Sequence, residues 1–459
     1  MKRTLNQRRK PRQRRLGTRA LLFVLSFILC WSVGFSDRVP AQTNGTSIQN
    51  VDALIEEGDL GGAIASLEES WKQDYQAFFQ QDFTTPKPSA EEIARQLGEL
   101  SRQTGNKPAV IWLVSRPQDL VLITIVPDRE PVVRIVEEAG RDRLQEAIAQ
   151  LQRTVTRPSR RTAYLTPAQQ LYTWLVAPVE SVLEAENIDT LLLCAGEGLR
   201  SFPFAALHDG EQFIIEKYSV ALIPAFRLIT TTYGDLRNAQ VLAMGASQFP
   251  KLSALPAVPV ELNTITPTLW QGEAFIEGDF TVENLESQRQ RYPFEIVHLA
   301  THAEFKSGSP TNSFIQFADS QLNLLEMSQL SWRDPPVELL VLSACKTALG
   351  DRDAELGFAG LALQSGVESV LASLWYVSDT GTLALMSEFY QQLKEAPTKI
   401  EALERAQLAM MRGEVRVEAG KLHYSGGTIP LPKAIALERP PQLSSPFFWA
   451  SFTLIGSPW

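Results

Sequence analysis

The sequence contains few of the residues that build disulfide frameworks and metal centres, with three cysteines and four histidines in 459 residues. It has no Cys-x-x-Cys pair, no Gly-x-Ser-x-Gly turn and no Walker-type lysine loop. Ala195-Gly-Glu-Gly198 follows a predicted strand but lacks the third glycine of a dinucleotide-binding loop. These absences argue against a disulfide scaffold, an α/β-hydrolase, a P-loop NTPase and a dinucleotide-binding enzyme.

Beyond the N-terminus, acidic residues outnumber basic ones. Nine Lys and Arg residues precede Asp37, the first acidic residue, so the overall net charge of −9 leaves −18 for the rest of the chain. An acidic body argues against nucleic acid as a partner. The chain does have 44% apolar residues, enough for a large core, and its length predicts two or three domains.

A short apolar segment follows the basic N-terminus. Residues 20–35 carry no charge, and Val39-Pro40-Ala41 follows them. A basic region, a short apolar region and a small residue predict a signal peptide over residues 1–41, with export to the periplasm or the cell exterior. Membrane anchoring through residues 20–35 and a basic tail are the alternatives, and we expect no integral membrane domain beyond this segment.

Residues 42–84 show helical spacing of apolar side chains. Ala63, Ile64, Leu67 and Trp71 recur at intervals of three and four, and the phrase around them resembles one tetratricopeptide hairpin. No second copy follows, so a solenoid is not expected. We expect a helical collar packed on the main domain, and the alternative is a surface that binds a regulatory protein.

Strands and helices alternate along the rest of the chain. Predicted strands in the first half cover 109–114, 120–126, 131–136, 190–194, 219–223 and 240–244, and those in the second half cover 295–300, 337–343, 367–374 and 448–455. Apolar runs this continuous are typical of strands that are buried on both faces. The pattern predicts an α/β fold with a mixed, mostly parallel sheet and helices on both faces.

Two of the predicted strands end in a reactive side chain. The run from Glu295 ends at His302, and the run from Val337 ends at Cys345. Because the carboxyl ends of neighbouring strands meet at one edge of an α/β sheet, the imidazole and the thiol can lie within reach of each other. A cysteine hydrolase needs this geometry.

A second histidine, His298, shares strand parity with His302, and their spacing invites a metal site. A zinc protease of the His-Glu motif would need Glu after the first histidine and a helix, whereas this sequence has Leu299 and a strand. We therefore predict that His298 is structural and that the protein uses no metal and no cofactor.

Several phrases resemble the successive motifs of a CHAT domain, a caspase-like module found with tetratricopeptide repeats in cyanobacteria and other bacteria. These phrases lie at 198–207, 298–302, 342–347, 357–361, 372–379 and 445–456. The resemblance covers roughly residues 165–459 and implies a caspase-haemoglobinase-like fold, kin to separase, that cleaves peptide bonds in protein or peptide substrates. Residues 85–240 would form the N-terminal part of this region and 241–459 the caspase-like catalytic part.

The resemblance implies that His302 is the general base and Cys345 the nucleophile. A free thiol has a pKa of about 8.5 and must be ionised to attack, which a neighbouring imidazolium favours. The backbone amides of Ala303 and Cys345 are the candidate oxyanion donors. Family members usually have Gly where this chain has Ala303, so a positive φ at that position would impair the oxyanion hole.

Two carboxylates are candidates for substrate binding. Asp379 follows the strand that ends at Leu374, where it could bind a basic P1 side chain, and its alternative role is to cap the helix from Thr380. Glu304 is the second candidate. The alternative function is a catalytically silent scaffold for protein–protein interaction, and a third is a protease that stays latent until its N-terminal helices bind a partner.

Overall fold

The computed structural model describes residues 43–158, 162–347, 349–435 and 441–459, with the backbone alone for 43–49 and 344–347. The chain divides into two units, Met1–Asn44 and Gly45–Trp459. The predicted signal peptide or anchor over residues 1–41 lies outside the described residues. No helix in the described residues is long and apolar enough to cross a membrane.

Several helices in the described residues begin where a polar side chain accepts a free amide group. Asp59, Ser89 and Thr398 each accept the amide three residues on, as N-caps do. The α-helices are α1 Thr43–Glu56, α2 Leu60–Phe79, α3 Ala90–Thr104, α4 Arg141–Val155, α5 Leu165–Leu175, α6 Ala177–Ala185, α7 Val258–Asn263, α8 Val282–Arg291, α9 Leu324–Met327, α10 Arg352–Ala359, α11 Leu361–Ser365, α12 Asp379–Gln392, α13 Lys399–Met411 and α14 Pro446–Trp449.

The strands follow the apolar runs of the sequence. They are β1 Pro108–Ser115, β2 Leu120–Ile125, β3 Val132–Val136, β4 Thr190–Ala195, β5 Ser219–Ile223, β6 Val241–Gly245, β7 Gly272–Ile276, β8 Ile296–Phe305, β9 Phe314–Gln316, β10 Gln321–Asn323, β11 Leu339–Thr347, β12 Ser369–Ser373, β13 Arg416–Glu418, β14 Lys421–Tyr424, β15 Gly427–Pro430 and β16 Phe452–Gly456. β1, β2 and β4 are almost wholly buried, as strands covered on both faces should be.

Thirteen of these strands form one sheet. Its main path runs β10-β9-β8-β11-β12-β16-β5-β4-β1-β2-β3, and β6 pairs with both β7 and β8. The pairs of β11 with β8 and β12, of β6 with β7 and β8, of β4 with β1 and β5, and of β16 with β5 are parallel. The predicted fold class, a mixed and mostly parallel sheet with helices, is therefore confirmed.

The C-terminal motif differs from the sequence prediction. A strand was expected over 448–455, whereas α14 covers Pro446–Trp449 and β16 begins only at Phe452. Pro446 fits the first turn of a helix, because proline has no amide hydrogen to lose there. Further upstream, β13, β14 and β15 form a small antiparallel sheet.

The helix α2 lies against the main sheet rather than apart from it. Its buried face includes Leu67, Trp71, Tyr75 and Phe79, in the helical spacing that the sequence shows. The same face carries the buried carboxylate of Glu68, which accepts a hydrogen bond of 2.7 Å from Nε1 of Trp112 in β1. This helix is therefore part of the core that supports the sheet.

Candidate active site

The strands β8 and β11 continue past the residues at which the sequence predicted that they end. β8 runs to Phe305 and β11 to Thr347, so His302 and Cys345 lie within paired strands rather than beyond them. The expectation that they terminate their strands is thus wrong in detail. The alternating residues after Ala300 suit a half-buried strand, which pairs there with β9.

A β-bulge separates the two halves of the β8–β11 ladder. Leu342 pairs with Leu299, but Ala344 pairs with His302, so β8 holds one extra residue between these pairs. Beyond the bulge, Cys345 pairs with Ala303. Neighbouring strands lie about 4.8 Å apart, so the backbone brings the histidine and the cysteine to adjacent strands one residue out of register.

The side chain of His302 is half-buried and is held by the loop between β6 and α7. Its Nε2 lies 2.8 Å from the carbonyl oxygen of Ser253. The imidazole packs against the ring of Phe249 in a T-shaped arrangement, with ring centroids 5.1 Å apart and an interplanar angle of 67°. These two contacts fix both the position and the tilt of the ring.

The contact with Ser253 also fixes the tautomer of His302. A carbonyl oxygen only accepts hydrogen bonds, so Nε2 must carry the proton that it donates. The neutral imidazole then has its lone pair on Nδ1. His302 therefore has a basic nitrogen at Nδ1 and a proton anchored at Nε2.

Ala303 lies in a regular strand conformation between two partners. It pairs with Cys345 on one side and with Ile315 of β9 on the other. Ala303 is not among the non-glycine residues with positive φ in the described part of the chain. The alanine is therefore accommodated without left-handed strain, and the oxyanion role of the Ala303 and Cys345 amides stays a prediction.

Asp379 is the first residue of α12 and lies beside the loop between β6 and α7 that contacts His302. Its Oδ2 accepts a hydrogen bond of 3.3 Å from the amide of Ala257, and its Oδ1 accepts one of 3.4 Å from the hydroxyl of Tyr376. Burial raises the pKa of Asp379 above its ordinary value, which these hydrogen bonds and the charge of His302 oppose. The cap of α12 is Ser378, whose hydroxyl accepts the amide of Gly381, so Asp379 is not the N-cap.

Glu304 lies on β8 two residues after His302. Its Oε2 is 2.7 Å from Nζ of Lys306, an ion pair at a partly exposed site. The buried residues Ala303 and Phe305 alternate with it, which places Glu304 on the same strand face as His302. The Glu304 carboxylate thus lies near His302, and the ion pair with Lys306 neutralises its charge.

His298 belongs to a separate buried network behind the site. Its Nε2 lies 2.8 Å from Oε1 of Glu261, and its Nδ1 lies 3.1 Å from the hydroxyl of Tyr390. Both ring nitrogens are engaged inside the core, which agrees with a structural role. Among the described residues, no group of three or more His, Cys, Asp or Glu side chains could hold a metal ion.

The site contains residues that the sequence did not reveal. Ser253 contributes a backbone carbonyl, Phe249 an aromatic ring and Ala257 an amide, all from the loop after β6. A backbone group leaves no trace in residue type, so no sequence signal marks Ser253 or Ala257. Phe249 stands between Gln248 and Pro250, where a loop residue was expected, and only its distance from His302 identifies it.

Comparisons with known proteins identify the family and the fold of this chain. The CHAT domain family model matches residues 165–457. Two crystal structures of the Saccharomyces cerevisiae separase–securin complex are similar to this chain, with TM-scores of 0.50 and 0.52 and 11% sequence identity. Each match covers 88% of this chain, more than the family model covers. It covers 34% of the separase chain, so this chain spans about a third of the length of the separase it matches. None of the curated proteins matches this chain in sequence.

Proposed function

This chain belongs to the CHAT domain family, and from that premise we propose that it is a cysteine endopeptidase in which His302 is the base and Cys345 the nucleophile. The family and the separase-like fold support a caspase-like domain of the protease type. The observation that carries the proposal is the pairing of β8 with β11, which places the backbones of His302 and Cys345 one residue apart on adjacent strands.

The tautomer of His302 supplies a route for the proton. Nδ1 would take the proton of the Cys345 thiol, and the thiolate sulfur would attack the carbonyl carbon of the peptide bond. The imidazolium would then protonate the leaving amine as the tetrahedral intermediate collapses to a thioester. In the second half, the neutral imidazole would take a proton from water, whose oxygen displaces the sulfur. Ser253 would hold Nε2 throughout, so that the ring keeps its orientation.

The first prediction concerns the dyad. Cys345→Ala and His302→Ala should each lower kcat/KM by at least about 1000-fold on a peptide that the wild type cleaves, because the nucleophile and base act as one unit. The measurement is cleavage of a fluorogenic peptide library, with identification of any covalently trapped residue. Cys194→Ala is the matched control, since Cys194 is fully buried at the end of β4 and should be dispensable for cleavage.

The alternative function, a catalytically silent scaffold, predicts the opposite result. The wild type would then cleave no member of the library, either alone or with a protein that binds residues 42–84, and that result would exclude the endopeptidase proposal. Cleavage by Cys345→Ala at the wild-type rate would exclude Cys345 as the nucleophile.

The second prediction concerns the P1 side chain. We propose that Asp379 binds a basic P1 residue, with the exposed ring of Tyr376 beside it. Asp379→Asn should lower kcat/KM for P1 arginine by at least about 30-fold and leave P1 norleucine within about threefold, because a partly buried carboxylate loses its charged partner. Since the pKa of Asp379 is raised, the arginine preference of the wild type should also weaken as the pH falls.

Paired arginine and norleucine substrates separate this role from a structural one. If Asp379 instead holds the loop between β6 and α7 through the Ala257 amide, Asp379→Asn will lower the rates for the arginine and norleucine substrates equally. An unchanged ratio of the two rates would therefore contradict P1 recognition. Glu304→Gln removes a second carboxylate, on the same strand face as His302. A change in the ratio of the arginine and norleucine rates in this variant would support a substrate-binding role for Glu304.

A further inference from the structure

The helix α10 begins seven residues after Cys345 and is the first regular element that follows it. Asp351 starts the helix by accepting the amide of Ala354 at 3.0 Å. Because only a short connection separates α10 from β11, the placement of this helix constrains where the end of β11 lies. The contacts of α10 therefore bear on the cysteine strand.

The same helix also contacts the histidine strand. Oδ2 of Asp353 accepts a hydrogen bond of 2.9 Å from the amide of Gly308, three residues past the end of β8. The ring of Phe358 meets the ring of Phe305, the last residue of β8, edge to face with centroids 5.4 Å apart. The helix α10 is thus tied to the ends of both strands that carry the proposed dyad.

A buried carboxylate fixes α10 from its other side. Glu355 is 1% exposed, and its two oxygens accept hydrogen bonds of 2.9 Å from the amide of Gly198 and 2.9 Å from the hydroxyl of Ser201. Gly198 has φ of +86°, a conformation that favours glycine and aims its amide at the carboxylate. This pairing joins α10 to the loop after β4.

A charged bridge supports the same junction. Asp74 of α2 accepts a hydrogen bond of 3.1 Å from the buried guanidinium of Arg200, and its other oxygen lies 3.5 Å from Arg352 at the start of α10. Arg200 also lowers the electrostatic cost of burying Glu355. Two acidic groups, Asp74 and Glu355, therefore hold α10 against the loop that contains Gly198, Arg200 and Ser201.

We propose that Glu355 is a positioning residue for the proposed dyad: it anchors α10, and α10 holds the ends of β8 and β11, the adjacent strands that carry His302 and Cys345. The proposal rests on the proposed function of His302 and Cys345. It assigns to the phrase from Gly198 to Ser201 a task in the reaction, although this phrase is remote in sequence from both dyad residues.

The test compares Glu355→Ala and Glu355→Gln with a matched control, Glu388→Ala. Glu388 is also fully buried, and it accepts hydrogen bonds of 2.8 Å from both the amide and the hydroxyl of Ser425, far along α12 from the site. The loss of either carboxylate leaves similar groups unpaired, so both alanine variants should lose similar stability. The glutamine at 355 can still accept from Gly198 and donate to Ser201.

The readouts are kcat and KM on a cleaved peptide, and the pH dependence of Cys345 alkylation by iodoacetamide, followed by peptide mass spectrometry. Each variant is measured at a temperature where circular dichroism shows it to be folded. Glu355→Ala should lower kcat at least about tenfold with little change in KM, because misplacement by about 1 Å can cost about 100-fold in rate. Its alkylation midpoint should rise toward the ordinary thiol value of about 8.5.

Glu355→Gln should restore kcat to within about threefold of the wild type, and Glu388→Ala should match the wild type in kcat and alkylation midpoint. If Glu355→Ala and Glu388→Ala behave alike, the positioning role is overturned. The alkylation midpoint of His302→Ala separates this failure from that of the dyad. An unshifted midpoint in His302→Ala contradicts the proposed function itself, whereas a shift in His302→Ala but none in Glu355→Ala contradicts only the positioning role.

Discussion

Glu404, on α13, is a carboxylate whose ordinary ionisation works against the fold. Burial raises its pKa from 4.5 to about 7, and the neighbouring charges of Glu401 and Asp189 act in the same direction. The hydroxyl of Ser219 donates to it from β5 and only partly offsets this cost. At pH 7 the neutral acid and the carboxylate of Glu404 are therefore about equally populated in the folded protein, and ionisation above this pH places a charge in a site that favours the neutral acid.

The pH dependence of stability should reveal this carboxylate. Because the folded state binds the proton more tightly than the unfolded state, the Glu404 contribution is fully present below about pH 4.5 and is lost as the pH rises through about 7. Glu404→Gln should therefore gain roughly 1–2 kcal/mol relative to the wild type at pH 8, after discounting for solvent screening, and little at pH 4.5. Urea unfolding at both pH values measures the difference, and an equal effect at both would contradict the raised pKa.

Single residues of the candidate site differ in how far the sequence could identify them. The placement of His302 and Cys345 on neighbouring strands could be predicted because each follows an apolar run, and their role as a dyad stays a prediction. The carbonyl of Ser253 could not, since every residue has one and only the fold brings it to the imidazole. The helix cap was predicted one residue late, at Asp379 instead of Ser378, because both residue types cap helices well.

Strands and helices were predictable where their apolar pattern is simple. The buried core of β11 shows as a continuous apolar run, but the extension of β8 beyond Ala300 alternates polar and apolar residues and depends on β9 as a partner. The strand β9 begins several residues after β8 ends, and a local sequence pattern does not show that the two strands pair. The bulge between Leu299 and His302 is likewise a property of the pair of strands and not of either alone.

The short elements near the C-terminus show a second limit of local patterns. Phe448-Trp-Ala-Ser-Phe452 is apolar enough for a strand, yet its first residues form the end of α14. Trp449 there donates from Nε1 to the carbonyl of Ser444, and its own carbonyl accepts from Gln407 of α13. These contacts with distant residues stabilise a helical turn that the apolar composition does not indicate.

The whole unit Gly45–Trp459 depends on its N-terminal helices. Glu68 of α2 is fully buried and accepts hydrogen bonds from Trp112 Nε1 and from the amides of Phe226 and Arg227 at 2.7–3.0 Å. At the far end of α2, Phe79 and Tyr75 approach Gly360 so closely that an added Cβ there would lie 2.5 Å from the Phe79 ring. A regulatory partner that binds residues 42–84 would therefore meet only the outer surface of these helices.

Deletion of residues 42–84 should accordingly unfold the protein instead of releasing an active domain. The deletion exposes the surface that Ile64, Leu67, Trp71, Tyr75 and Phe79 cover, and burial of five such side chains contributes about 8–15 kcal/mol, as much as the whole stability of a typical domain. Size-exclusion chromatography, near-ultraviolet circular dichroism and thermal unfolding measure the outcome. A chain that begins at Gln42 is the control, since it retains every residue of the second unit and should unfold cooperatively at the full-length temperature. If the 42–84 deletion also unfolds cooperatively at that temperature, these helices are an accessory collar and not part of the core.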